Sequence, residues 1–285
     1  MGATPCEFSH LLIIFERGLD IIKKRTISWT KRDILCLILI RMRLYLPFRI
    51  LSSLCNSSTS TVWRIINQGI KILGNIAASH LRFPPQNVRL KRSKFLSFQD
   101  GHQFFHKLIS WLIDGWNQTI YESQDPDIKK GTFSNQIGNH CVKKLIITDP
   151  SGFPYYVSPS FVGRPHDMNV CKFPELDAIF KFIEKETKET GEYGLGDNAF
   201  SGLCGQMITN FLFTPREDSQ ENMIKANQFA TIRHAVENIN AELENFNAMN
   251  DQIRMSPSNS MRNLLYFHHL MSCLCIFIVR ELIYK

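Results

Sequence analysis

Four carboxylates stand in surroundings that would fix their direction. Asp114 closes the apolar run of WLIDGWNQTI and Asp197 closes another in YGLGDNAF, while Asp167 follows a Gly-Pro loop in GRPHDMNV and Glu237 lies within the helical pattern RHAVENINAELENF. Acids delivered from two strand ends, a loop and a helix can converge on one point. Such a set of hard oxygen ligands suits Mg²⁺ or Mn²⁺, which leave positions open for water and phosphate. Two such ions about 3.5 to 4 Å apart activate a water or a 3′-hydroxyl on one side and stabilise the leaving oxygen on the other. That is how a metal-dependent nuclease is built, and such chemistry requires no His or Cys nucleophile. Any single acid is more often exposed or ion-paired than catalytic, and Asp149, Asp177 and Glu192 are expected to be of that kind. His166 reads either as an orienting group or as a structural loop histidine. Arg233, four residues before Glu237 on the same helical face, reads either as a phosphate contact or as a neutraliser of the cluster.

The elements that must carry these acids can be read from the pattern. Residues 111–121 read as a first strand, 140–148 as a second, 149–152 as a turn and 153–157 as a third, and neighbouring strands joined this way should pair antiparallel. Beyond Asp167 a helical stretch runs to about residue 190, with Leu176, Ile179, Phe180 and Ile183 on one face and Gly191 ending it. A short strand, 193–196, then delivers Asp197. A turn near Leu203 and an extended FLFTP lead to a long helix over 221–249 that holds Glu237. Strand, strand, strand, helix, strand, helix is a mixed α/β order.

The first hundred residues are helical in pattern. Residues 8–22 and 29–42 have helical apolar spacing, the second with Ser28 or Thr30 placed to cap it. A short helix over 47–55, a polar break at Asn56-Ser57-Ser58 and a longer helix over 59–73 form a helix-turn-helix pattern. Val62, Ile65, Ile66 and Ile70 line one face of the longer helix, which leaves Thr59, Ser60, Thr61 and Arg64 at its exposed start, suited to phosphates and base edges in a major groove. An ordinary helical bundle with a polar loop has the same spacing. After Pro84-Pro85 comes a basic run that includes Arg89, Lys91, Arg92 and Lys94; it reads as a nuclear-import signal, a phosphate-contacting linker or a solvated connection.

Charge is uneven. Residues 1–100 carry 16 Lys and Arg against 5 Asp and Glu, and residues 101–285 carry 17 against 21, so the first segment should face a polyanion. Two domains are expected, 1–100 and 101–285. The eight cysteines form no CxxC pair, which argues against a structural zinc site or a disulfide framework and for a reducing intracellular compartment. The opening residues lack the pattern of a secretory signal. Residues 264–279 (LLYFHHLMSCLCIFIV) are apolar but short for a membrane span and are interrupted by His268 and His269; a buried C-terminal helix is expected, and no membrane association. Adjacent histidines point about 100° apart on a helix and have no third ligand in register, so neither is expected to bind metal.

Taken in order, LIDG, VKKLIITDPSG, VGRPHD, GLGDNAF and RHAVEN resemble the nuclease domain of PIF/Harbinger-type transposases and of the host proteins derived from them. The resemblance spans about residues 100–280, and the helical segment 31–79 resembles the helix-turn-helix that precedes this domain in the same family. It implies an RNase H-like mixed-sheet nuclease domain preceded by an all-α helix-turn-helix domain, and a DDE superfamily endonuclease or a domesticated derivative. It further implies Mg²⁺ or Mn²⁺ held by Asp114, Asp197 and Glu237 with Asp167 as part of the acidic site, a Myb-like DNA-binding partner, and work in the nucleus. One departure stands out: after the helix glutamate this chain has Ala241-Glu242-Leu243-Glu244 where relatives carry a Gly and a Leu-Lys pair, which puts acid where a basic residue would face nucleic acid.

Overall fold

The computed structural model describes residues 4–23, 29–100, 103–252 and 261–284. Helices α1 (Pro5–Ile14), α2 (Glu16–Lys23), α3 (Lys31–Leu44), α4 (Phe48–Leu54), α5 (Thr59–His80) and α6 (Gln86–Arg92) come first. The strand region follows: β1 (Lys94–Asp100), β2 (Gln103–Thr119), α7 (Pro126–Thr132), β3 (Phe133–Ser134), β4 (Asn139–Thr148), β5 (Pro154–Val157), β6 (Phe161–Val162), α8 (Asp167–Cys171), α9 (Pro174–Thr187) and β7 (Glu192–Gly196). A 3-10 turn over Asn198–Leu203, β8 (Phe211–Phe213), α10 (Gln220–Glu244), α11 (Asn247–Asn250) and α12 (Met261–Ile283) complete the chain.

The chain divides into two compact units, and the division differs from the expected cut near residue 100. A helical unit takes Met1–Leu81, Gln118–Ile128 and Ala241–Lys285, and a sheet unit takes Arg82–Asn117 and Lys129–Asn240. Divided in this way, the helical unit carries 15 Lys and Arg against 11 Asp and Glu and the sheet unit 18 against 15. The charge contrast read along the sequence is therefore not a contrast between the two units.

In the helical unit, α5 packs against α2, α3, α4 and α12. Its small residues permit this: a Cβ on Gly74 would meet the Leu270 carbonyl oxygen at 2.6 Å, and one on Gly69 would overlap Ile38. Thr30, not Ser28, is the described cap of α3, in a capping box with Asp33; Ser28 lies outside the described residues. Helices α4 and α5 are separated at Asn56, whose φ of 46° is left-handed, a conformation Asn tolerates better than most residues. Helix α12 is long and apolar enough to cross a membrane by length and composition, but its residues from Leu270 to Val279 are buried within this unit. His268 is buried and bonds Gln118 at 2.5 Å, and the Gln118 amide donates to the carbonyls of Ala248 and Asp251.

In the sheet unit the strands run β4, β2, β7, β8, and β5, β6 and β3 all pair with β4. Pairing is parallel for β2 with β7 and for β7 with β8, and antiparallel for β4 with β5 and with β6. Asp149 stabilises the turn into β5, its Oδ1 accepting from Ser151 and Phe153, and Gly152 at φ 92° closes it. The two faces of the sheet have separate cores. Trp111, Ile113, Leu145 and Ile147 pack with Val170, Leu176, Phe180 and Ile183 of α8 and α9, whereas Ile109, Leu112 and Leu195 pack with Phe229, Ile232 and Val236 of α10. Side chains alternate between faces along a strand, yet Ile109 and Leu112 share one. The register shift between Ile109 and Trp111 explains this: Ser110 is an extra residue against β7, and a bulge of that kind reverses the alternation beyond it.

Candidate active site

The reversed alternation decides where the acids point. With Leu112 on the α10 face, Asp114 falls on that face too, and by the same parity Leu195 places Asp197 there at the end of β7. Asp114 Oδ2 accepts a hydrogen bond from Asn240 Nδ2 of α10 at 2.7 Å. Asp197 caps the 3-10 turn, its Oδ1 accepting from the Ala199 N–H at 2.9 Å. Gly115, one residue on and on the opposite face, lies against Asp167: a Cβ there would sit 3.3 and 3.4 Å from the two carboxylate oxygens.

Asp114 and Asp197 feel the charges of neighbouring acids. Burial pushes the Asp114 carboxyl up to about 6; Arg233 works against that, and the charges of Asp197 and Glu237 add to it. Asp197 is raised as well, first by burial and also by Asp167, with Arg233 again opposing. The charges of Asp197 and Glu237 thus act on Asp114, and that of Asp167 on Asp197. Two of the four acids already have cationic partners. Lys143 Nζ lies 2.7 Å from Asp167 Oδ1, and Glu237 is 3.5 Å from Arg233 and 3.1 Å from His234. Among the described residues, no three Asp, Glu, His or Cys side chains are grouped closely enough to hold a metal ion.

Two contributors escaped the sequence reading. Asn240 stands three residues after Glu237, one helical turn along the same face, and this spacing was the available signal. Lys143 is 2 % exposed, and the signal for it was a Lys-Lys pair inside the apolar run Val142 to Ile147. His166 is exposed and precedes α8 without a side-chain capping bond.

The residues assigned to DNA fare differently from one another. Arg64, Lys91 and Lys94 are exposed. Thr59, Ser60 and Thr61 stand at the start of α5, but their hydroxyls are engaged locally: Thr59 with Ser52 at 3.1 Å, and Ser60 and Thr61 with the capping Ser58 at 3.0 and 2.8 Å. Arg92 is partly buried over the Phe153 ring, 3.4 Å from Asp149. Arg89 is a correction. It is fully buried, and its Nε and Nη2 donate to both oxygens of the buried Glu192 at 2.8 and 2.7 Å, so it cannot reach a nucleic acid. The basic run is the helix α6 and the start of β1, not a linker.

Residues 113–275, more than half the chain, match the model of the DDE superfamily endonuclease family. The chain belongs to that family. No curated protein and no solved structure matches it. The match begins one residue before Asp114 and takes in all four acids, as well as most of α12.

Proposed function

We propose that this chain is a divalent-metal-dependent DNA endonuclease or transposase of the PIF/Harbinger type, acting on phosphodiesters at the acidic cluster. The supporting observation is the coupling of Asp114 with Asp197 and Glu237: carboxylates brought together against their own repulsion are expected where a cation is to be bound. The donors suit Mg²⁺ or Mn²⁺, being hard oxygens. The Asn240 Oδ1 atom beside Asp114 adds another, since it is buried and without a hydrogen-bond partner among the described residues. Asp114, Asp197 and Glu237 would hold the metal, which when bound supplies charge stabilisation for the attacking and leaving oxygens. Asn240 orients the Asp114 carboxylate, Asp197 is fixed by its capping bond, and Arg233 limits repulsion within the cluster. The sheet order supports an RNase H-like reading, because the strand carrying the first acid is central, with a parallel pair to one side and β4 with its antiparallel partners to the other. The α4–α5 pair, with Arg64 exposed, would contact DNA. A Myb-like partner and a nuclear site of action belong to the same reading.

A second reading, a domesticated DNA-binding or scaffold protein with weak or no catalysis, is favoured by one specific observation: Lys143 and Arg233 already accompany two of the four acids. Calorimetry with Mn²⁺ and Mg²⁺, paired with a DNA cleavage assay, separates the two. The endonuclease reading expects wild type to bind metal and cleave, and Asp114→Asn, Asp197→Asn and Glu237→Gln to lose both. Metal binding unchanged in Asp114→Asn would remove the site from consideration.

A further inference from the structure

We propose that Lys143 is a positioning residue of this site: it clamps Asp167 as a charge-balanced carboxylate that shapes the cluster without ligating metal, leaving Asp114, Asp197 and Glu237 as the acids that bind it. The proposal rests on the metal-binding reading above. On β4, Lys143 reaches Asp167 Oδ1 at 2.7 Å and donates to the Pro165 carbonyl at 3.1 Å. A single ammonium thus holds the chain on both sides of His166. Lysine and aspartate are both nearly excluded from water, at 2 % and 8 % exposure, and buried ions persist only where they are paired. The pair is an ion pair without hydrogen-bond geometry, since Asp167 Oδ1 is buried with no hydrogen-bond partner among the described residues, and the ammonium acts by charge: it repels a second cation from the oxygen it lies beside. The Asp167 carboxylate also faces Gly115, directly after Asp114: a Cβ there would stand 3.3 Å from Oδ1 and 3.4 Å from Oδ2, so only a residue without a side chain leaves the carboxylate its full room. Asp114 and Asp197, by contrast, are joined to neutral donors, Asn240 and the Ala199 N–H, which can remain in place when a cation arrives.

The test uses the full-length protein, Mn²⁺ as the probe, calorimetry for affinity and thermal unfolding in EDTA for coupling. Asp167→Asn should bind Mn²⁺ within ~3-fold of wild type while Asp114→Asn loses binding. Lys143→Met, which frees a carboxylate for the metal, should bind Mn²⁺ ~10-fold more tightly, in the range of coupling between touching groups. Its metal-free Tm should fall by about 10 °C, because a buried charge is left unpaired. Lys143→Arg should behave like wild type in affinity, and Lys143→Met combined with Asp167→Asn should recover most of the lost Tm. A purely structural lysine would not sharpen metal binding. The proposal is overturned if Asp167→Asn loses Mn²⁺ as Asp114→Asn does, if Lys143→Met leaves affinity unchanged, or if the two changes lower Tm additively. Should Lys143→Met fail to fold, Asp167→Asn and the double variant decide the question. A wild type that binds no Mn²⁺ overturns the metal reading and the ligand half of this proposal together, and the Tm coupling distinguishes that from failure of the clamp.

Discussion

Asp114 holds its proton more tightly than a free carboxylate, its pKa pushed from the ordinary 3.8 up to about 6, chiefly through burial. Between those two values the folded protein binds more protons than the unfolded chain, so without metal its stability should fall as pH rises from about 4 to about 6 and level off above. Asp114→Asn removes the dependence. In EDTA the variant should unfold at a higher temperature than wild type at pH 7.5 and at the same temperature near pH 4; an equal gap at both pH values would refute the assignment. Glu192 shows the opposite sign. Burial pushes its pKa up, but the hydrogen bonds from Arg89 and others outweigh burial and leave it lowered. Its contribution is therefore present above pH 4.5 and is lost as pH falls through the folded value. Arg89→Met should destabilise the protein by about 3 to 5 kcal/mol at neutral pH, since it leaves Glu192 buried and unpaired. Denaturant unfolding measures this, and loss of DNA binding with stability unchanged would contradict it. The burial of Arg89 was not legible because a basic run reads as solvated until its partner is known, and Glu192 is 103 residues away.

At the scale of elements, most of what carries the acids was readable. The strand at β4, the turn at Asp149, the helix broken before Gly191 and the long helix with Glu237 follow from local periodicity and turn chemistry. The hairpin of β1 with β2 was missed because the apolar alternation of Phe95 to Phe98 is hidden behind basic neighbours. The Ser110 bulge, which turns Asp114 toward α10, cannot be seen without the partner strand. Helix α5 invites two experiments. If its start contacts DNA, Arg64→Ala should weaken binding by about 3- to 10-fold and reduce the salt dependence of affinity by about one counterion contact; salt-titrated anisotropy on the full chain reads both, and an unchanged slope would remove Arg64 from the interface. At the other end, Gly74→Val should push α5 from α12, because its side chain would overlap the Leu270 backbone. A Tm lowered by several degrees is expected, and an unaltered Tm would mean that the two helices are not closely packed.

For the whole molecule, the division of the chain changes what a fragment can test. Cutting after residue 100 would strip α12 from α5 and expose the apolar face that the two helices share, so loss of DNA binding by such a fragment would report unfolding. Point variants in the full chain avoid that ambiguity. Wrapping a sheet unit inside the sequence of a helical one also imposes an order of events during synthesis. Residues 82–240 span the whole of the sheet unit, whereas α5, made earlier, finds α2, α3 and α4 at once but keeps the side that meets α12 uncovered until α12 emerges. Asn75 and Tyr266, which touch across these helices, are 191 residues apart. A nascent α5 therefore carries an uncovered apolar stripe through most of translation, the period in which chaperones bind such surfaces. A stop codon between Glu237 and α12 would leave the four acids intact on a chain whose helical unit could never close.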